Sequence, residues 1–264
     1  MSIIKIRDLS FSRERKVIFD KLTLNVEENK ITAIMGPSGC GKTTLLKLIS
    51  GQIRDYSNGF ISLFGRDLSI VGDKELYILR RNIGILFQNA ALFSDLNVYD
   101  NIAFPIREHT DLSESLINDL VLMKLQSVGL RKVESLMPAQ LSMGMAKRVA
   151  LARTIALDPA VIMYDEPFSG QDPISMSILI KLISLLNKFA RMTTIIVSHD
   201  INEMLELADY IYIINNKEVV AKGTPFEIRA NDNYFVRSFI SVGSGYEYNK
   251  QNLIDDYEKD LFVY

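Results

Sequence analysis

The sequence predicts an α/β fold: a mainly parallel sheet, an antiparallel β element at its start and an α-helical segment inserted in its middle. Three observations predict it. A glycine-containing loop at 36–44 sits between an apolar strand-like run and a helix start. Short apolar strands alternate with amphipathic helices downstream of it, the pattern of βαβ units. Between 89 and 157 the strand patterns give way to helix periods. With 264 residues, 48% of them hydrophobic, the chain can bury a sizeable core.

Along the chain, residues 3–11 (IIKIRDLSF) and 17–26 (VIFDKLTLNV) partly alternate apolar and polar side chains around the charged turn 12–16 (SRERK), so they read as an antiparallel edge element. Residues 31–35 form a buried strand bounded by Gly36-Pro37, 42–49 form a helix, and Gly51 stops it. FISLFG (60–65) adds a hairpin strand, and IGILFQ (83–88) is a buried strand ending at Gln88. Residues 91–106 are apolar but irregular. A helix then follows over 113–128, with Ser113 as N-cap and Leu116, Leu120 and Met123 as its stripe, and another over 143–157. AVIMYDEP (160–167) is a strand ending in two carboxylates. Next come an amphipathic helix over 174–189 (Ile174, Ile178, Leu182, Leu185, Leu186, Phe189), a strand at 193–199, a short helix at 200–208 and a hairpin at 210–223. The expected division is a core of 1–88 and 158–240, a helical insert at about 89–157, and a C-terminal extension, 241–264.

The loop spells G-x-x-x-x-G-K-[ST] through Gly36, Pro37, Ser38, Gly39, Cys40, Gly41, Lys42, Thr43 and Thr44. Glycines let successive backbone N–H groups turn inward, and the helix start behind them adds partial positive charge, so the loop cradles phosphates. Lys42 then reaches the β/γ-phosphates and the Thr43 hydroxyl binds Mg²⁺. This places the core among P-loop NTPases, with a RecA-like sheet. Asp165, at the end of an apolar strand, fits the aspartate that holds Mg²⁺ in such proteins, and Glu166 stands where it can take a proton from the attacking water. No Asn-Lys pair is followed by the aspartate of a guanine-reading motif, so the expected nucleotide is ATP. Cys40 lies inside the cradle, where a helix N-terminus can lower a thiol pKa.

Composition excludes several classes. Lys+Arg 30 against Asp+Glu 32 leaves a net charge of -2, with no basic field to hold nucleic acid. A single cysteine rules out an internal disulfide and suits a reducing compartment. The first residues do not read as a signal peptide, and no uninterrupted apolar run approaches the ~18–20 residues of a membrane span. A soluble, cytoplasmic protein is expected, held at a membrane only by partners.

The block QLSMGMAKRVALARTIALDPAVIMYDEPFSGQD (140–172) resembles the signature-to-D-loop segment of ATP-binding cassette (ABC) ATPases, and the order P-loop, Gln88, LSMGM, YDEP, SGQD, His199 is that family's order. The resemblance covers nearly the whole chain. It implies a head-to-tail dimer in which Ser142 and Gly144 of one copy close over ATP held by the P-loop of the other. It further implies that Gln88 contacts Mg²⁺ and the attacking water, that His199 hydrogen-bonds the γ-phosphate, that Asp172 crosses the dimer interface, and that Phe11 stacks on adenine. The sequence departs from the family at Met143, where the signature LSGG carries glycine.

One P-loop and one signature make a single cassette, so a working unit needs two chains. The apolar, aromatic stretch 91–106 suits a groove for a helix of a membrane partner. ALFSDLNVYDNIAFPIREHT and DEPFSGQDPISM most closely resemble the ATPase subunits of Gram-negative phospholipid-transport ABC systems. That resemblance implies a permease pair, a lipid-binding MCE-domain protein and a small STAS-domain protein as partners, and a place on the cytoplasmic face of the inner membrane. The tail 244–264, acidic with interleaved Tyr, Leu and Phe, reads either as a frayed C-terminus or as a segment that docks on the neighbouring copy or the STAS partner. Two other readings remain open at this point: an ABC ATPase for another cargo such as amino acids, and a nucleotide-gated module with little turnover, which Met143 alone favours.

Overall fold

The computed structural model describes residues 1–14 and 16–243; the tail 244–264, read as frayed or docking, lies outside them. β1 (Ser2–Arg13) and β2 (Lys16–Glu27) pair antiparallel with Arg13 opposite Lys16, and their alternation, shifted by bulges at Asp8 and Lys21, turns Ile4, Ile6, Leu9, Phe19, Leu22 and Leu24 inward. β3 (Ile31–Met35), buried throughout, leads into α1 (Lys42–Ile49). β4 (Asn58–Leu63) and β5 (Arg66–Asp67) complete a four-stranded antiparallel sheet in the order β2-β1-β4-β5. After α2 (Asp73–Arg81) comes β6 (Ile83–Leu86), and α3 (Val98–His109), α4 (Glu114–Ser127) and α5 (Met143–Thr154) fill the middle of the chain. β7 (Val161–Asp165), α6 (Pro173–Ala190), β8 (Thr193–Ser198), α7 (Ile201–Leu207), β9 (Tyr210–Asn215), β10 (Glu218–Gly223), α8 (Pro225–Arg229) and α9 (Tyr234–Gly243) follow.

The second sheet has the order β10-β9-β3-β8-β7-β6, parallel except for β10. Its central strands are buried on both faces, as strands covered on both sides must be. Alternate residues serve opposite cores. Ala33, Ile162, Tyr164 and Ile196 face the helical side, while Ile34, Val161, Met163, Ile195 and Val197 face the antiparallel sheet and α1. The two sheets are also tied by hydrogen bonds: the Tyr212 hydroxyl donates to the Asn25 carbonyl and accepts from the Asn25 N–H, both at 3.0 Å. Because β3, β7 and β8 are parallel neighbours, the loops leaving their carboxyl ends gather on one edge, where open α/β sheets bind ligands.

The expected α/β fold is observed, with five differences in detail. α2 and the C-terminal helices α8 and α9 form in segments to which no element was assigned from the residue pattern. α3 spans most of the stretch read as irregular; Val98, Ile102, Ala103 and Ile106 make its buried stripe, which Pro105 and the neighbouring aromatics disguise. On α4 the buried residues are Ile117, Val121, Lys124 and Leu125, one position round from the expected stripe, and Leu116 and Met123 face outward. Ser113 is the N-cap residue but makes no side-chain cap bond.

On α6 the expected stripe is not the buried one: only Leu179 and Ile183 are buried, Leu182 and Leu186 are half-buried, and Ile174 and Phe189 are 75% and 73% exposed. This helix, with mean hydropathy 1.4, is long and apolar enough by length and composition to cross a membrane. Lys181 and Lys188 interrupt it, and it serves as the crossover between the adjacent strands β7 and β8.

Candidate nucleotide site

The cradle is built by close approach. At Gly36 a Cβ would sit 2.4 Å from the Ile214 carbonyl oxygen, so only glycine lets β3 turn away from β9 there. Gly41, at φ +102°, is the N-terminal boundary of α1 without a side-chain cap, which leaves the first helical N–H groups facing the loop. The Lys42 ammonium is buried and donates to the carbonyls of Gly36 (2.8 Å) and Pro37 (3.2 Å), folding the loop round itself.

Opposite the loop stand the carboxylates from the end of β7. The Thr43 hydroxyl donates to Asp165 at 2.9 Å, and Lys42 Nζ lies 3.3 Å from Glu166 Oε1. Glu166 Oε2 accepts from the His199 backbone N–H at 3.2 Å and sits 2.7 Å from His199 Nδ1. Glu166 itself has φ 46°, a left-handed turn in which its N–H donates to the Val197 carbonyl at 2.9 Å. Gln88 Nε2 donates to Ser169 at 3.2 Å, so its carbonyl end is the one not committed to that bond. Burial raises the Asp165 carboxyl above its ordinary range, only partly offset by the Thr43 hydrogen bond.

The structure brings Ser38, Gly39, Gly41, Lys42, Thr43, Thr44, Gln88, Glu166 and His199 to one cavity of about 360 Å³. The hard oxygen donors of Thr43, Asp165 and Gln88 suit Mg²⁺, which is held by few protein oxygens beside phosphate and water. Glu166, His199 and Asp200 also cluster with ligand atoms within 4.8 Å of one another, but Lys42 already supplies a cation to Glu166.

Ser142, Gly144 and Asp172 do not line this cavity. Ser142 caps α5 by accepting from the Met145 N–H at 3.2 Å, and Asp172 caps α6 by accepting from the N–H groups of Ile174 and Ser175 at 3.0 Å. A hydrogen bond with the Ser175 side chain, joined by these backbone N–H groups, holds the Asp172 carboxyl below its ordinary range. A Cβ on Gly144 would meet the Ser175 hydroxyl at 2.6 Å, so the signature loop rests on the start of α6. Met143 points along the surface: its sulfur is 3.2 Å from the place a Cβ of Gly170 would take.

Two expectations are corrected. Phe11 is 5% exposed, opposite Phe19 in the register of β1 and β2, and belongs to the core between the sheets; no ring face is open to a base. Arg13 and Ile18, two residues that the sequence reading left in a turn and a strand, line the cavity instead. The second correction is Cys40, whose thiol is pushed above its ordinary value: desolvation outweighs the attraction of Lys42.

The residue patterns also gave no sign of Lys147 or Arg153. Lys147 Nζ donates to the Pro167 carbonyl at 2.6 Å, and Arg153 donates to the carbonyls of Ala90 and Ala91 at 3.1 and 2.8 Å.

The model for ABC transporter proteins matches residues 19–169. The chain is 50% identical to the intermembrane phospholipid transport system ATP-binding protein MlaF of Haemophilus influenzae, across 99% of this chain and 98% of that one. It is also 50% identical to MlaF of Escherichia coli K12, across 90% of this chain and 88% of that one. A probable ribonucleotide transport ATP-binding protein, mkl of Mycobacterium leprae, shares 39% over 90% of this chain and 68% of its own length. Among solved structures, the dimeric post-hydrolysis state of the cassette MJ0796 bound to ADP and Pi superposes with TM-score 0.77 at 26% identity, covering 84% of this chain and 98% of that one. The cbiO1 subunit of an ABC transporter from Clostridium perfringens reaches 0.80 at 29%, covering 91% and 95%. With a phosphate-loop motif, Glu166 and His199 lining one cavity, and with half its residues shared with MlaF proteins along nearly its whole length, the chain belongs to the ABC transporter family of ATP-binding proteins.

Proposed function

We propose that this chain hydrolyses ATP as one of two cassettes that move phospholipids between inner and outer membranes and so maintain outer-membrane lipid asymmetry. The observation that carries the cargo is the 50% identity to a phospholipid-transport ATPase over nearly the full length of both chains. The 39% shared with proteins named for ribonucleotide transport supports another cargo less well.

In this reading Lys42 and the amides of 36–44 hold the β- and γ-phosphates. Thr43, Asp165 and Gln88 would hold Mg²⁺, which neutralises charge on the β- and γ-oxygens when bound. Glu166 takes the proton of the attacking water as the bond to the leaving ADP breaks, and His199 fixes the Glu166 carboxylate and donates toward the γ-phosphate. Ser142 and Gly144 of a second copy close the site from the far side, with Asp172 at the seam, and the dimeric MJ0796 cassettes support that pairing. The chain divides for this work into the core of 1–88 and 158–240, the insert of about 89–157 and the extension 241–264, with α9 running through the last boundary.

A groove of about 510 Å³ supports the membrane partner. Phe87, Phe93, Phe104, Pro105 and His109 line it beside Arg153, which ties its floor to the loop after Gln88. An apolar slot with a basic floor fits a short cytoplasmic helix of an MlaE-like permease. An MlaD-like MCE-domain protein and an MlaB-like STAS-domain protein would complete the complex at the cytoplasmic face of the inner membrane.

The test is copurification from detergent-solubilised membranes. Recovery with a permease and an MCE-domain protein, lost with Phe104→Glu while ATP binding is kept, supports the reading. Recovery with an amino-acid permease alone overturns it.

A further inference from the structure

The Lys147 side chain is 2% exposed, on α5 about a turn and a half from Ser142. Its ammonium donates to two carbonyls in one turn, Pro167 at 2.6 Å and Glu166 at 3.5 Å. Burial pushes this amine below its ordinary pKa, opposed by the charges of Asp200 and Glu166. Sinking a cation into the core is unfavourable, and an apolar side chain of the same length would pack there at no such cost. What a cation adds is a hold on backbone oxygens. The two it grips belong to the turn in which Glu166 adopts its left-handed φ of 46°.

The same helix meets the other half of the chemistry at its first turn. Ser142 caps it, Gly144 rests on Ser175, and Met143, 59% exposed, lies against Gly170. In the paired cassettes that end faces nucleotide held by the second copy, whereas Glu166 serves nucleotide held by its own P-loop.

We propose that Lys147 is a positioning residue for Glu166 and links the two ATP sites of the dimer. Docking of the signature end of α5 on one nucleotide is passed along the rigid first turns of the helix to the 166–167 carbonyls, and so to the carboxylate that activates water at the other. The link rests on the paired-cassette reading.

The experiment compares Lys147→Met, Lys147→Gln and Lys147→Arg in the full chain with its partners, together with Glu166→Gln and the Lys147→Met/Glu166→Gln double variant. Wild type is expected to hydrolyse ATP cooperatively. Lys147→Met should lower kcat at least about tenfold with KM changed less than about threefold, because the loss falls on the transition state. Its Hill coefficient should fall to about 1, and amides 166–171 should exchange hydrogen faster while those of α5 keep their protection. Lys147→Arg, which keeps a buried cation, should restore kcat and cooperativity, and Lys147→Gln should fall between. The double variant should still form the ATP-dependent dimer, seen by light scattering.

Unchanged kcat and Hill coefficient in Lys147→Met overturn the proposal. So does a loss that Arg does not repair with exchange at 166–171 unaltered, which would make Lys147 a packing residue. Failure of Glu166→Gln alone to dimerise with ATP overturns the paired-cassette reading first, and the link with it.

Discussion

Lys42 Nζ and Glu166 Oε1 face each other at 3.3 Å across the floor of the cradle, both largely out of solvent. One side chain is placed to bind phosphate and the other to activate water, so each holds the other in place. Removing the Glu166 charge frees Lys42 for phosphate while removing the proton acceptor. Glu166→Gln is expected to lower kcat roughly 10²–10⁴-fold and to accumulate an ATP-bound dimer. Single-turnover assays and size-exclusion chromatography with ATP check both parts; retained turnover would remove Glu166 from the base role.

Phe11 and Arg13 are two residues apart on β1 and have opposite fates. Phe11→Ala empties a packed site and is expected to cost about 3–5 kcal/mol of stability, with KM for ATP little changed in the folded fraction. Arg13→Ala is expected to leave stability alone and raise KM a few-fold, in keeping with a cation–π contact of about 0.5–2 kcal/mol. Denaturant titration and steady-state kinetics separate them. The reverse pattern would return Phe11 to the base site.

The Cys40 thiol has its pKa raised by burial, so the neutral form dominates near pH 7 and the thiolate grows as pH rises. Alkylation by iodoacetamide is expected to be slower than for free cysteine at pH 7. The rate should climb about tenfold per pH unit, with a plateau above the ordinary thiol value. MgATP should slow it and complete modification should block nucleotide binding. Stopped-time mass spectrometry reads the rate. Full ATPase activity after complete modification would show that the cradle tolerates the adduct.

The Met143 side chain lies toward Gly170 rather than over the helix start, where Ser142 accepts from the Met145 N–H. Met143→Gly, which restores the family's residue, is expected to keep kcat within about threefold, well under the roughly tenfold of an interaction made only in the transition state. A much larger gain would mean that methionine obstructs the closed site.

How much of this was legible in the residues follows from where the information lies. The cradle could be read because its glycines, Lys42 and Thr43 are neighbours in sequence and their chemistry is local. The sheet could be read because β3, β7 and β8 are unbroken apolar runs, buried on both sides. α4 shows the limit. Its segment ESLINDLVLMKLQS carries apolar residues on most of the wheel, so two stripes fit the period and only the partner helices choose Ile117 and Val121. Phe11 was placed by likeness to a motif; it turns inward beside Leu9 because a bulge between Ile6 and Leu9 shifts the alternation of β1, which the residue pattern alone does not show. Lys147 and Arg153 look like ordinary helix cations until the fold brings carbonyls of 90, 91 and 167 to them.

The Tyr212–Asn25 bridge, together with the place of β3 between β8 and β9, has a consequence for how the protein is made. The phosphate strand emerges from the ribosome early, but both of its neighbours and the clamp on the N-terminal sheet are encoded beyond residue 192. At ~5–20 residues per second of synthesis, the growing chain carries an unpaired apolar β3 for many seconds before β8 and β9 arrive. Nascent chains stalled before Asn215 should therefore engage chaperones and bind no nucleotide, and the ability to hold ATP should switch on late and in a single step.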